Sequence, residues 1–254
     1  MDHRNIRHFR PFGSQARAFT LIELLVVIAI IAILAALLLP SLANGMKKAT
    51  QAGCASNFRQ AHIALQMFLD DHADYLPPSP ENAPAGGGTP YGLWNGQDIG
   101  YSQSTTGDLV CYLANYLAYP SPSAIFRTAP VMLCPGFRRN VTASTTNLVV
   151  YYLSGTRSDD GTIQVGYFPF GYPDPVAGFT TAQLQPHKIT QVQAAGPLSQ
   201  IWYISDVDAV AYPGGWSAVA GVQMPLKPVH GSYRNHLYFD GHVGKKKVNP
   251  AGGL

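Results

Sequence analysis

Apolar and polar positions change their spacing along the chain in a way that predicts its parts. From Phe19 to Leu39 apolar side chains fill almost every position, and Glu23 is the one charged interruption. From Leu42 onward they recur at three- and four-residue steps: Leu42, Met46, Ala49 and Gly53, then Phe58, His62, Leu65, Leu69 and His72. Lys47, Lys48, Gln51, Asn57, Arg59, Gln66 and Asp70 fall opposite them, so this stretch is a helix with one buried face. Further on, Val131 to Leu133, Leu148 to Leu153, Thr162 to Phe168 and Gln200 to Ile204 are short β-branched or aromatic runs between Gly, Pro and Asp, which predict strands.

The lengths of these stretches set what they can do. Phe19 to Leu39 is 21 residues, which as a helix spans ~31 Å, the thickness of a bilayer's hydrocarbon core. Pro40 removes a backbone donor and is a site for a kink, and Gly45 and Gly53 weaken the helix further. A helix continuing to about Ala73 would reach ~80 Å. Asp74-Tyr75-Leu76-Pro77-Pro78 ends it, because a residue preceding proline avoids helical geometry. A linker from Pro77 to about Gly107 carries Gly86-Gly87-Gly88, and Leu109, Leu113, Tyr116 and Leu117 then fit a short helix closed by Tyr119-Pro120. Near the C-terminus, Asn235 to Phe239 and His242 to Val248 flank Asp240-Gly241, which predicts a hairpin with a two-residue type I′ turn, Leu237 and Phe239 facing the core and His236 and Tyr238 the other side. The expected fold class is α+β, a long N-terminal helix packed on a C-terminal antiparallel sheet domain. Its expected segments are a basic leader at 1–18, a membrane-spanning helix at 19–40, an amphipathic continuation at 41–76 and a globular head at 77–254.

Charge sharpens this division. The chain carries 17 Lys and Arg against 14 Asp and Glu. The leader alone holds Arg4, Arg7, Arg10 and Arg17 against Asp2, so the remainder has 13 of each sign and no net charge. Basic residues stay on the cytoplasmic side of a membrane, which would place the rest of the chain outside. Lys245, Lys246 and Lys247 form a solvated strand end and no nucleic-acid surface is expected. A Sec signal peptide with a cut near Ser41-Leu42-Ala43 and an ordinary membrane anchor compete with the reading developed next, although Glu23 is out of place in both.

FTLIE followed by an aliphatic helix, after a short basic leader, resembles the N-terminus of type IV prepilins and type II secretion pseudopilins. The resemblance implies that a prepilin peptidase cuts between Ala18 and Phe19, that Phe19 becomes N-methylated, and that Glu23 pairs with the Phe19 ammonium of a neighbouring subunit during assembly. Pro40 stands where many pilins kink. Ala18 stands where the family usually has Gly. Physics independently favours a pairing role for Glu23, since an unpaired carboxylate in apolar surroundings is strongly penalised and thereby selects register. The resemblance also implies the partners: prepilin peptidase, an inner-membrane platform, an assembly ATPase, and sister pseudopilins or further copies of the chain, at the inner membrane with an extracytoplasmic C-terminal domain.

His230, nine intervening residues, then Asp240-Gly241 resembles a C-terminal motif in a large group of pseudopilin-like proteins with the same FTLIE start. Its chemistry has two readings. His230, Asp240 and His242, with Asp206 or Asp208 if the hairpin pairs with the Ile201 to Ile204 strand, offer imidazole and carboxylate suited to zinc; the histidines argue against calcium. Alternatively Asp240 serves turn geometry and His230 bonds backbone near the turn. The cysteines are Cys54, Cys111 and Cys134, an odd number in an oxidising compartment. A Cys111–Cys134 bridge within the globular part and three buried thiols are both open.

No Gly-x-Ser-x-Gly elbow and no phosphate-binding glycine loop occurs, so neither an enzyme nor a cofactor is expected. The competing function class is a membrane-tethered binding module that holds a glycan or protein on Tyr91, Trp94, Tyr101, Tyr172 and Trp216 and never polymerises.

Overall fold

The computed structural model describes residues 20–79, 92–137, 149–158, 160–173, 178–210 and 224–248. Its longest element, α1 (Leu21–Asp71), runs through Pro40 and includes both helical stretches expected from the sequence. The chain divides into two compact units at Met46 and Lys47.

In the first unit, α1 is exposed on every side. Leu21, Ile33 and Leu37 are 86, 63 and 71% exposed, and their aliphatic neighbours are similar. The apolar run has no polar stripe, so no rotation of the helix could hide it from water against a small partner. Pro40 cannot donate a backbone hydrogen bond, and beside it the Ser41 hydroxyl donates to the Leu38 carbonyl at 2.8 Å.

The second unit begins with the remainder of α1, whose buried seam is Cys54, Phe58, Ala61, Leu65, Phe68 and Leu69. Leu42 and Met46 of the expected face are exposed instead. Asn57, placed on the polar face by periodicity, turns inward and donates to the Leu133 carbonyl at 2.9 Å. The helix ends as Ala73 and Asp74 enter the left-handed region with φ 51° and 67°, and the Leu76 amide then donates to the His187 carbonyl at 2.9 Å.

The seam packs against a five-stranded sheet of order β1 (Gly96–Gln97), β4 (Tyr151–Leu153), β5 (Trp202–Asp206), β6 (Tyr233–Tyr238) and β7 (Val243–Lys247). All its pairings are antiparallel. A second sheet pairs β2 (Gly100–Tyr101) with β3 (Arg127–Thr128). The short helix is α2 (Leu109–Leu113), followed by a 3-10 turn at Asn115–Leu117, and α3 (Ile189–Ala195) was not expected. Phe58 meets the Tyr151 ring at 4.9 Å, one of the contacts that joins helix and sheet.

Several expectations change. Val131 to Leu133 lies in and just after a 3-10 turn at Pro130–Met132, because Pro130 presets a helical φ there. Thr162 to Phe168 forms isolated bridges and turns in place of a strand. The Asp240-Gly241 connection has three residues, since Tyr238 already bonds the His242 carbonyl. Only Gly241 takes a positive φ, of 88°, whereas a type I′ turn needs positive φ at both central positions. His236 and Tyr238 are buried along with Leu237 and Phe239, because Trp202 covers the second face, 4.5 Å from the His236 ring. Leu148, Tyr91, Trp216, the Gly86 to Gly88 run, the arginine leader, Ala18 and Phe19 lie outside the described residues.

Candidate functional site

Two places carry the chemistry singled out by the sequence, the start of α1 and the two ends of β6. At the first, Thr20 and Glu23 form a reciprocal cap. The Thr20 amide and hydroxyl donate to Glu23 Oε2 at 2.9 and 2.8 Å, and the Glu23 amide donates to the Thr20 hydroxyl at 3.2 Å. The Thr-x-x-Glu spacing is a capping box, satisfying amides that open a helix. Glu23 thus starts α1 as well as being the only charge within its apolar half. Both contacts fall on Oε2.

At the other place, His230 and Asp240 do not meet. They flank β6 at its opposite ends, and a six-residue strand separates its ends by ~20 Å. The set His230, Asp240 and His242 is therefore not brought together. Asp240 and His242 form a local turn: the His242 amide donates to Asp240 Oδ1 at 3.1 Å and His242 Nδ1 lies 2.6 Å from the same oxygen. The His242 ring stacks on Tyr238 at 4.1 Å. Gly241 has a second reason to be glycine besides its φ, for a Cβ there would sit 2.6 Å from the ring of His62 on α1. His62 lies 3.1 Å from the Tyr203 hydroxyl, and burial lowers its pKa against the opposing charge of Asp240.

At the start of β6, His230 meets other partners. Its Nε2 is 3.4 Å from Cys134 Sγ and 3.3 Å from Asp206 Oδ2, while Asp206 Oδ1 is 3.5 Å from Cys54 Sγ. One ligand atom from each of these residues lies within 4.8 Å of the other three. Asp206 ends β5, where its Oδ2 accepts the Asn235 amide at 2.9 Å. Cys54 and Cys134 are bridged, with Cα atoms 4.9 Å apart, so the pairing is not Cys111 with Cys134. Gly53 makes the approach possible, since a Cβ there would already stand 3.3 Å from Pro135. Cys111 remains a buried thiol, pushed up to about 11 by burial and by Asp108. Asp208 turns away from this group and holds the buried Arg234 guanidinium through two contacts of 2.7 and 3.0 Å.

Sequence reasoning had named His230 and Asp206 for such a cluster and missed both cysteines. The available signal was Cys54 on the buried face of α1, one turn before Phe58. Of the aromatic surface expected for a binding module, three residues are described: Tyr101 is buried, and Trp94, 42% exposed, meets the Tyr172 ring at 5.8 Å.

Residues 13–39 match a family described as the prokaryotic N-terminal methylation motif. Over 60 residues the chain is 45% identical to the type IV wide pilus major component PilA4 of Thermus thermophilus. That alignment covers 24% of this chain and 46% of the relative, so the chain spans about half the length of the curated relative it matches. No solved structure matches.

Proposed function

Starting from a chain that is type IV prepilin-like at its N-terminus and whose apolar helix is a candidate membrane anchor, we propose that it is a structural subunit of a type IV pilus-like or type II secretion filament. The observation that carries this reading is the first half of α1: an apolar surface exposed all round, with a lone carboxylate at one end. Such a surface is stable only in lipid or against sister helices, and extraction from one into the other exchanges lipid contacts for helix contacts. The energetic difference is small, which calls for an external machine.

In this reading a prepilin peptidase removes residues 1–18 between Ala18 and Phe19, and Phe19 is then N-methylated, keeping its positive charge. Glu23 Oε2 is occupied by its own cap, leaving Oε1 to receive the Phe19 ammonium of a neighbour. Pro40 supplies a bend where the membrane-spanning stretch of 19–40 gives way to the amphipathic stretch of 41–76. The head, 77–254, faces outward from the inner membrane, and the platform and ATPase drive assembly. The work is mechanical and not enzymatic.

Glu23→Ala tests this. The variant is expected to insert into membranes at the normal level and to disappear from sheared filaments, with cysteine crosslinks between neighbouring α1 helices falling from ladders to monomer. Normal incorporation would remove the pairing role, and a native chain still carrying Met1 would remove the processing step.

A further inference from the structure

Cys54, Cys134, Asp206 and His230 come from four separate parts of the fold: the buried seam of α1, the loop after the Pro130 turn, the end of β5 and the approach to β6. The imidazole and carboxylate are 2 and 4% exposed at their side chains. A disulfide needs neither of them.

The direction of the contacts distinguishes two chemistries. A thiol nucleophile activated by histidine uses both ring nitrogens, one facing the sulfur and the other held by a carboxylate. Here Cys134 and Asp206 both face Nε2. In the bridged form a single ring N–H can serve both neighbours; once both sulfurs are thiolates, the neighbour that thiolate, imidazole and carboxylate can share is a metal ion. Three of the spacings agree with one, and the two sulfurs, bonded to each other here, would part to about 3.8 Å around it. A tetrahedral zinc ion with bonds of about 2.3 Å to sulfur and 2.0 Å to nitrogen and oxygen sets sulfur to nitrogen or oxygen at about 3.5 Å, and nitrogen to oxygen at about 3.3 Å. The observed separations are 3.4 Å for Cys134 to His230, 3.5 Å for Cys54 to Asp206 and 3.3 Å for His230 to Asp206. The carboxylate places one oxygen toward Cys54 and the other toward His230, and the Asn235 amide fixes its orientation in the way outer groups orient metal ligands. A cleft of about 180 Å³, lined by Lys47, Lys48, Thr50, Gly136, Val229 and His230 among others, borders the group at His230.

We propose that Cys54, Cys134, His230 and Asp206 form a zinc site in the thiol form of the chain. Zn²⁺ displaces one proton from each thiol and binds both thiolates with the imidazole Nε2 and the carboxylate. The bridge is the alternative fate of the same sulfurs. An oxidised dithiol takes up their two electrons and two protons, becoming reduced as the Cys54–Cys134 bond forms. Metal and bridge exclude each other: the bridge ties α1 to the loop after the Pro130 turn, and the metal adds β5 and the approach to β6. The histidine of the C-terminal motif then has a chemical role that its aspartate does not share.

The test uses the full chain in detergent, made and kept with reduced thiols, dialysed against zinc or cobalt and compared with the air-oxidised chain. One zinc per reduced chain is expected, with an intense tetrahedral cobalt spectrum, a thiolate-to-cobalt charge-transfer band, and none of either after oxidation. His230→Ala and Asp206→Asn should weaken zinc binding by more than about tenfold, whereas His242→Ala should leave it unchanged. Because the Asp206 variant can lose its fold, the wild-type comparison decides alone: no zinc in the reduced chain, cobalt without a thiolate band, or equal zinc in the oxidised chain would each overturn the site.

Discussion

The two halves of α1 belong to one helix and face opposite problems. Before Met46 the side chains are aliphatic at nearly every position and remain exposed; after Lys47 the apolar residues contract to a seam, Cys54 to Leu69, and are buried in a sheet. The first half carries its stability requirement outward, to lipid or to other copies, while the second meets its own within the subunit. Under the proposed function, in which the subunit leaves a bilayer for a filament without unfolding, this separation means that the surface exchanged between environments contributes nothing to holding the head together.

Mutations can break or sharpen that contrast. Phe58→Ala empties the seam opposite Tyr151 and should cost about 3–5 kcal/mol; a denaturant midpoint in detergent within error of wild type would show that this half is not core. Asp108 gives the next largest effect. Burial, with the nearby Asp98 charge, raises its carboxyl from 3.8 to about 7 against the opposing Asp98 amide. The folded chain therefore keeps a proton that the unfolded chain releases near pH 4, and the head loses stability as pH rises from about 4 to 7. Asp108→Asn removes that loss, so its advantage over wild type should grow across the same interval to at most about 4 kcal/mol; parallel stability curves would refute it.

Gly241→Ala adds a Cβ against His62 at a φ of 88° and should cost about 1–3 kcal/mol. Unfolding of the variant at the wild-type midpoint would mean that the turn does not clasp α1. The smallest effect belongs to the other half: Ile33→Ala should move the unfolding midpoint of the head by less than the equivalent of about 0.5 kcal/mol. A larger shift would erase the distinction between the halves.

Legibility in the sequence followed the range of the interactions involved. Helix α1, α2 and the final hairpin depend on neighbours a few residues apart, and periodicity and the Asp-Gly pair revealed them; the Thr20–Glu23 cap is as local, yet went unread because Glu23 was expected to serve assembly. Strands β1, β2 and β3 were hidden because each has two residues, too few for alternation to show. The type I′ expectation failed by one residue, since Phe239 is drawn to the core and the loop must absorb it.

By itself, then, the order of residues determined that one helix has an apolar half and a seamed half, and that a carboxylate opens it, since these are local matters of spacing and solvation. Tertiary structure alone decided that Cys54 meets Cys134 across 80 positions, that His230 joins them with Asp206, and that Asp240 does not. Those meetings depend on which strands pair and on how closely Gly53 lets a loop approach the helix, and chain spacing carries no record of either.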